Sequence, residues 1–184
     1  MAYLMLLIAV LSRVFPALLH TTGGNVTAVG AALLFFGASL HTARRWHAVF
    51  AIVALAITDW WLTTYAYGYP FHVVGYLPTW AWYAAVCLGS SFALARRNPI
   101  SRLAVAAIAA PTSFFLISNF VVFLRSGMYP HTTDGLVGCY VAAVPFYRND
   151  LVSTAVFTAL FFLLPATESL RNAFTSPTDF GAAA

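Results

Sequence analysis

Charge is what this chain lacks most. Only 8% of its 184 residues are charged, 61% are hydrophobic, and the mean hydropathy is +0.83. A soluble domain carries about 25% charged residues. The composition therefore argues against an ordinary soluble globule and points to a polytopic membrane protein. Lysine is absent: all nine basic residues are arginine. The net charge of +4 is small and scattered, which argues against a nucleic-acid partner. Two cysteines, Cys87 and Cys139, give no disulfide framework. The N-terminus has neither the basic region nor the small-residue cleavage site of a signal peptide, and it reads as a first membrane helix. A Ser–His–Asp ordering, a phosphate-cradling glycine loop and an HExxH motif are all missing. The expectation is a protein that is not an enzyme and has no intrinsic cofactor.

What the chain does have is apolar runs. A membrane-spanning helix needs about 20 mostly apolar residues, and six segments qualify approximately: Ala2–Leu19, Thr27–Leu40, Ala48–Thr64, Pro78–Ala95, Ile100–Leu124 and Leu151–Leu170. The second is short and rich in Ala and Gly, which lets neighbouring helices approach closely. The fold expected is an all-α membrane protein, a six-transmembrane-helix bundle over residues 1–171 with a flexible cytoplasmic tail over 172–184. Arginine sets the orientation. Arg44 and Arg45 follow the second segment, Arg96, Arg97 and Arg102 surround the start of the fifth, and Arg171 follows the sixth. With six spans these regions share one side, the cytoplasm, and both termini lie there. The location expected is a bacterial inner membrane, crossed several times, with membrane lipid as a partner.

The outer loops are then Leu19–Val26, Tyr65–Leu77 and Arg125–Asp150. Two of them are long, and loops of that length are usually functional or disordered. These are too aromatic and apolar for disorder, so they read as a folded lid. The stretch Asn119–Asp150 is the densest in chemistry, with Tyr129, His131, Asp134, Cys139, Arg148 and Asn149. Arg125 and Arg148 lie on the side that the arginine bias disfavours. Below the loops, Arg13, Asp59 and Asn119 fall inside predicted spans at similar depth. A charge in hydrocarbon costs at least about 2.5–3.5 kcal/mol, so Arg13 and Asp59 should face inward as a buried polar floor, paired with each other or with a ligand. Aromatic residues crowd the second outer loop, from Trp60 to Tyr83, in a pattern suited to a flat or ring-bearing ligand. His20, His72 and His131 are all on the outer side, but no pair has helix-type or C-x-x-C metal spacing.

The stretches NVTAVGAALLFFGA (Asn25–Ala38), SNFVVFL (Ser118–Leu124) and YPHTTDGLVGCYVAAVPFYRN (Tyr129–Asn149) resemble the signatures of the DUF6580-type family of bacterial membrane transport proteins. Six helices in about 180 residues, with a pocket roofed by the loops after helices 1, 3 and 5, also resemble the S-components of energy-coupling-factor vitamin transporters. The closer analogy is to solitary cobalamin transporters of the BtuM type. That resemblance implies a histidine after helix 1, an acid on helix 3, a cobalt-ligating residue and a tyrosine after helix 3, and an arginine near helix 6. The matching positions are His20, Asp59, His72, Tyr76 and Arg148. Some members of that group carry cysteine at the cobalt-ligating position, where this chain has His72. Helix 1 lacks the Ala-x-x-x-Ala pattern by which S-components meet their coupling subunit.

The resemblance implies capture and uptake of a small organic nutrient, most simply a vitamin such as cobalamin carried as a transported ligand. The ligand would meet His20, Asp59, His72, Tyr76, Asn119, Tyr129, His131, Asp134, Arg148 and Asn149, with Arg13 and Asp59 beneath and His72 axial to cobalt. A coupling transmembrane and ATPase module is the implied macromolecular partner. The alternative is an accessory structural subunit of a larger membrane complex.

Overall fold

The computed structural model describes residues 1–19, 26–40, 42–94 and 100–175, with side chains at 42, 43 and 164–175 left aside. It is helical throughout, with no strand among the described residues. Six helices follow in order: α1 (Ala2–Leu18), α2 (Val29–Ala38), α3 (Ala48–Trp61), α4 (Val73–Ala93), α5 (Ile100–Arg125) and α6 (Thr133–Thr175). A 3-10 segment, Thr42–His47, leads into α3, and a π-helical turn, Leu62–Ala66, extends it. Two stretches are long and apolar enough to cross a membrane, Arg44–Ala66 and Ile100–Arg125. Only 22% of the most apolar window of α5 is buried inside the protein. The core helix of a soluble domain would be mostly buried, so this outward apolar face fits membrane association.

The organising element is α2. It is the shortest helix, and eight of its ten residues are buried. A helix that is apolar all round belongs in the centre of a fold, and α2 packs against α1, α4 and α6. Small residues make this possible. A Cβ on Gly37 would fall onto the Cys87 carbonyl and the Ser90 hydroxyl of α4, and one on Gly30 would come 2.7 Å from Thr154 Oγ1 of α6. Ser90 Oγ also donates to the Leu33 carbonyl at 3.4 Å, joining α4 to α2. Phe36, Leu33 and Leu55 are fully enclosed in the core.

The loops are shorter than the sequence implied. The expected third outer loop, Arg125–Asp150, contracts to residues 126–132, because α6 already begins at Thr133. Thr132 starts it: its hydroxyl accepts the Gly135 backbone N–H at 3.2 Å, and Asp134 lies in the positively polarised first turn. Leu136, Cys139, Tyr140, Ala143 and Tyr147 then recur at helical spacing and face inward. Tyr140 donates to the Leu116 carbonyl at 2.7 Å, and Tyr147 bonds Thr112 Oγ1 at 2.9 Å, both on α5. The second outer loop shortens likewise, with α4 starting at Val73 rather than near Pro78. At about 1.5 Å per residue, the 43 residues of α6 reach roughly 65 Å, about twice a hydrocarbon core. The loops at 67–72 and 126–132 share one end of the bundle, where Arg125 Nη1 donates to the Val74 carbonyl at 3.3 Å. At the other end, the Tyr3 hydroxyl meets His47 Nδ1 at 2.6 Å.

Candidate ligand-binding cavity

Asp59, near the end of α3, is 2% exposed and holds the polar centre of the protein. One carboxylate oxygen accepts Arg13 Nη2 of α1 at 2.5 Å, and the other accepts Trp80 Nε1 of α4 at 2.9 Å. Arg13 Nη1 reaches Thr58 Oγ1 at 3.3 Å and the Tyr83 hydroxyl at 3.5 Å. One ion pair thus ties three helices, and both carboxylate oxygens are occupied. Buried charges persist when paired and hydrogen-bonded in this way.

The pair lines a cavity of about 220 Å³ to which all six helices contribute. Arg13 comes from α1, Val29 and Gly30 from α2, and Asp59 from α3. Tyr76, Thr79, Trp82 and Tyr83 come from α4, Phe114 from α5 and Asp150 from α6. Four of these are aromatic, and three carry formal charge. Trp82 packs on Phe114 with ring centres 4.8 Å apart and donates to Ser113 Oγ at 2.9 Å, which fixes the wall between α4 and α5. Two further cavities, of about 170 and 140 Å³, adjoin it. Phe114 lines all three.

The π-helical turn shapes the rim. Such turns recur at functional sites because they re-aim side chains. Here Thr63 is turned onto the Tyr76 hydroxyl, to which it is hydrogen-bonded. Tyr76 stacks on Phe71 at 4.8 Å and on Trp80 at 6.1 Å. The three rings form a ladder from the exposed 67–72 loop down to Asp59.

The cavity unites three of the residues singled out from sequence: Arg13, Asp59 and Tyr76. Asn119 is elsewhere, in the second cavity with Ser118, Tyr147 and Asp150; its Nδ2 donates to the Phe115 carbonyl at 2.7 Å. His72 is the exposed residue preceding α4. His131 Nε2 contacts the Phe123 carbonyl at 3.1 Å. Tyr129, half-buried, precedes α6, while Asp134 and Arg148 are exposed on it and Asn149 is half-buried. None of these six lines the cavity. His20 lies outside the described residues. Among the described residues, no group of three or more His, Cys, Asp or Glu is placed to hold a metal ion. Sequence reasoning missed Thr79, Phe114 and Asp150. Asp150 had a signal: with Tyr147 and Thr154 it continues the inward stripe of α6, a stripe hidden while 125–150 was read as a loop.

The sequence profile of a known family matches residues 1–175. The chain belongs to DUF6580, a family of unknown function. The match takes in α1 to α6 and every residue of the cavity. No curated protein and no solved structure matches the chain. The likeness to S-components therefore rests on the helix count and loop arrangement expected from the sequence alone.

Proposed function

We propose that this DUF6580 chain is a multi-pass protein of the bacterial inner membrane that captures a small organic molecule and takes it up. Six membrane-crossing helices with both termini in the cytoplasm are the arrangement we favour. The alternating helix directions and the apolar outer faces support it. So does the placement of Arg44 and Arg45 at the end opposite the aromatic loops. The observation that carries the functional reading is the cavity itself. A pocket with two carboxylates, a guanidinium and four aromatic rings sits among six otherwise apolar helices. A purely structural bundle gains nothing from such a space, because polar groups in an apolar interior are costly unless satisfied. At about 220 Å³ it is smaller than the roughly 300–1,000 Å³ of drug-sized sites, so the closed form suits a compact ligand.

Native mass spectrometry of the full chain, purified in mild detergent, tests this. A stoichiometric small molecule, lost in Tyr83→Ala and Tyr76→Ala, is the expected result. A cavity filled only by lipid, with stoichiometric co-purifying subunits, would replace capture by the accessory-subunit reading.

A second reading keeps a corrinoid as the ligand. It is favoured by His72, which stands exposed beside the Phe71–Tyr76–Trp80 ladder and is free to present an imidazole to a metal already held in a cofactor. It requires the loops to open. If His72→Ala leaves corrinoid binding and the corrinoid absorption spectrum unchanged, the axial role fails.

A further inference from the structure

We infer that the cavity takes a compact organic monocation, an alkylammonium, held by the Asp150 carboxylate against the aromatic wall of Trp82, Tyr83 and Phe114. The inference rests on the capture reading above and narrows it to a ligand class.

The argument begins with charge. Among the described residues, three charged groups line the cavity: Arg13, Asp59 and Asp150. Arg13 and Asp59 neutralise each other at 2.5 Å. Asp150 is left over. Its side chain accepts one long hydrogen bond, from Thr154 Oγ1 at 3.5 Å, and among the described residues no basic side chain pairs with it. Arg148 is close in sequence, but residues two apart on a helix do not face each other, and Arg148 is exposed. The chain has no lysine to supply a cation, and among the described residues no histidine lines the cavity. α2 begins at the cavity wall with Val29 and Gly30. The positive end of its dipole is worth about half a unit charge, which offsets part of a full carboxylate charge and not all of it. The described lining is therefore net negative.

Shape and surface point the same way. Ring faces attract cations through their quadrupole, and quaternary ammonium groups are the ligands most often recognised by aromatic cages. Four aromatic side chains border this cavity. A hydrated inorganic ion has no use for such a wall, whereas an alkylammonium buries its methyl groups there and leaves its charge facing Asp150. The space holds roughly seven waters at about 30 Å³ each, hence a molecule of about seven non-hydrogen atoms. Choline has that size.

The test uses choline chloride with the purified full chain, read by isothermal titration and by the melting temperature. The control is 3,3-dimethylbutan-1-ol, the neutral molecule in which carbon replaces the choline nitrogen. Choline is expected to bind at least tenfold more tightly than this isostere, and Asp150→Asn to remove the difference. Asp150→Asn keeps side-chain volume and an acceptor for Thr154. Should that variant fail to fold, Phe114→Leu, which removes an aromatic face but not the charge, is expected to weaken choline more than the isostere. Equal binding of choline and the isostere, binding of neither, or sodium competing as well as choline each overturns the inference. An anionic or neutral small molecule found bound at stoichiometry would also overturn it while leaving capture intact. A cavity that binds no small molecule at all overturns both.

Discussion

The ion pair between Arg13 and Asp59 gives the sharpest energetic test of the core. Asp59→Asn removes one charge and little else. The side chain keeps its volume, and an amide oxygen can still accept Trp80 Nε1. Arg13 then loses its 2.5 Å partner and retains only Thr58 and Tyr83, at 3.3 and 3.5 Å, the outer limit of useful hydrogen bonds. Its side chain is 17% exposed and cannot shed its proton. Breaking a buried pair from one side costs about 3–5 kcal/mol. For a chain of this size that is a fall in melting temperature of roughly 6–20 °C. Arg13→Met should cost less, since an isolated carboxyl can neutralise itself by taking a proton. The double variant should recover most of the loss, because neither buried charge is then left without its counter-charge. Intrinsic tryptophan fluorescence during heating in detergent reads all four proteins. If the two single losses simply add in the double variant, the pair is not coupled and the centre of the bundle has been misjudged.

Two further outcomes follow from the packing. Gly37→Ala should destabilise by about 1–3 kcal/mol, because the new methyl meets the Cys87 carbonyl, which cannot rotate away, and the Ser90 hydroxyl. Gly75→Ala and Gly89→Ala, where a Cβ meets open space, should be neutral or gain up to about 1 kcal/mol from helix propensity; equal behaviour at all three sites in thermal melts would refute the close approach of α2 to α4. Cys87 and Cys139 are both buried, and Cys139 Sγ donates to the Asn119 carbonyl at 3.4 Å. Neither should react with a maleimide in the folded protein, and both should react after unfolding. Rapid labelling of native Cys139 would refute its burial.

Much of the fold was legible because hydrophobic runs announce helices. α1 and α5 begin where the sequence put them and end within a residue of it. α2 was legible as a close-packing element from its Ala and Gly content. The misreading of 125–150 has a physical origin. Gly135, Gly138, Pro145 and the charged pair Arg148 and Asp150 look like loop punctuation when taken singly. A helix tolerates them when one face is held by packing, and here Tyr140 and Tyr147 anchor that face to α5. Tertiary contact overrode local propensity. Arg13 and Asp59 were legible from the cost of lone charges in apolar segments. Which other residues share their cavity was not, because six helices meet there and only the three-dimensional packing says which faces converge.

That misreading bears directly on the site. While Asp150 counted as the last residue of a loop, its charge needed no explanation, since loops are solvated. Placed on α6, one turn before the buried Thr154 and facing a space shared with Trp82 and Tyr83, the same carboxylate becomes, among the described residues, the one charge in the cavity lining without a partner of opposite sign. The reverse holds for His131, Asp134 and Arg148. As loop residues they belonged to a lid over the pocket; as described, His131 stays in the short 126–132 loop against the Phe123 carbonyl, and Asp134 and Arg148 lie on the exposed face of α6. Reassigning one loop to a helix thus moves the proposed ligand contacts from the rim to the bundle interior. On the capture reading proposed above, access to the interior would run between α4, α5 and α6, which meet at Phe114 where three spaces share a lining residue, as well as past the outer loops.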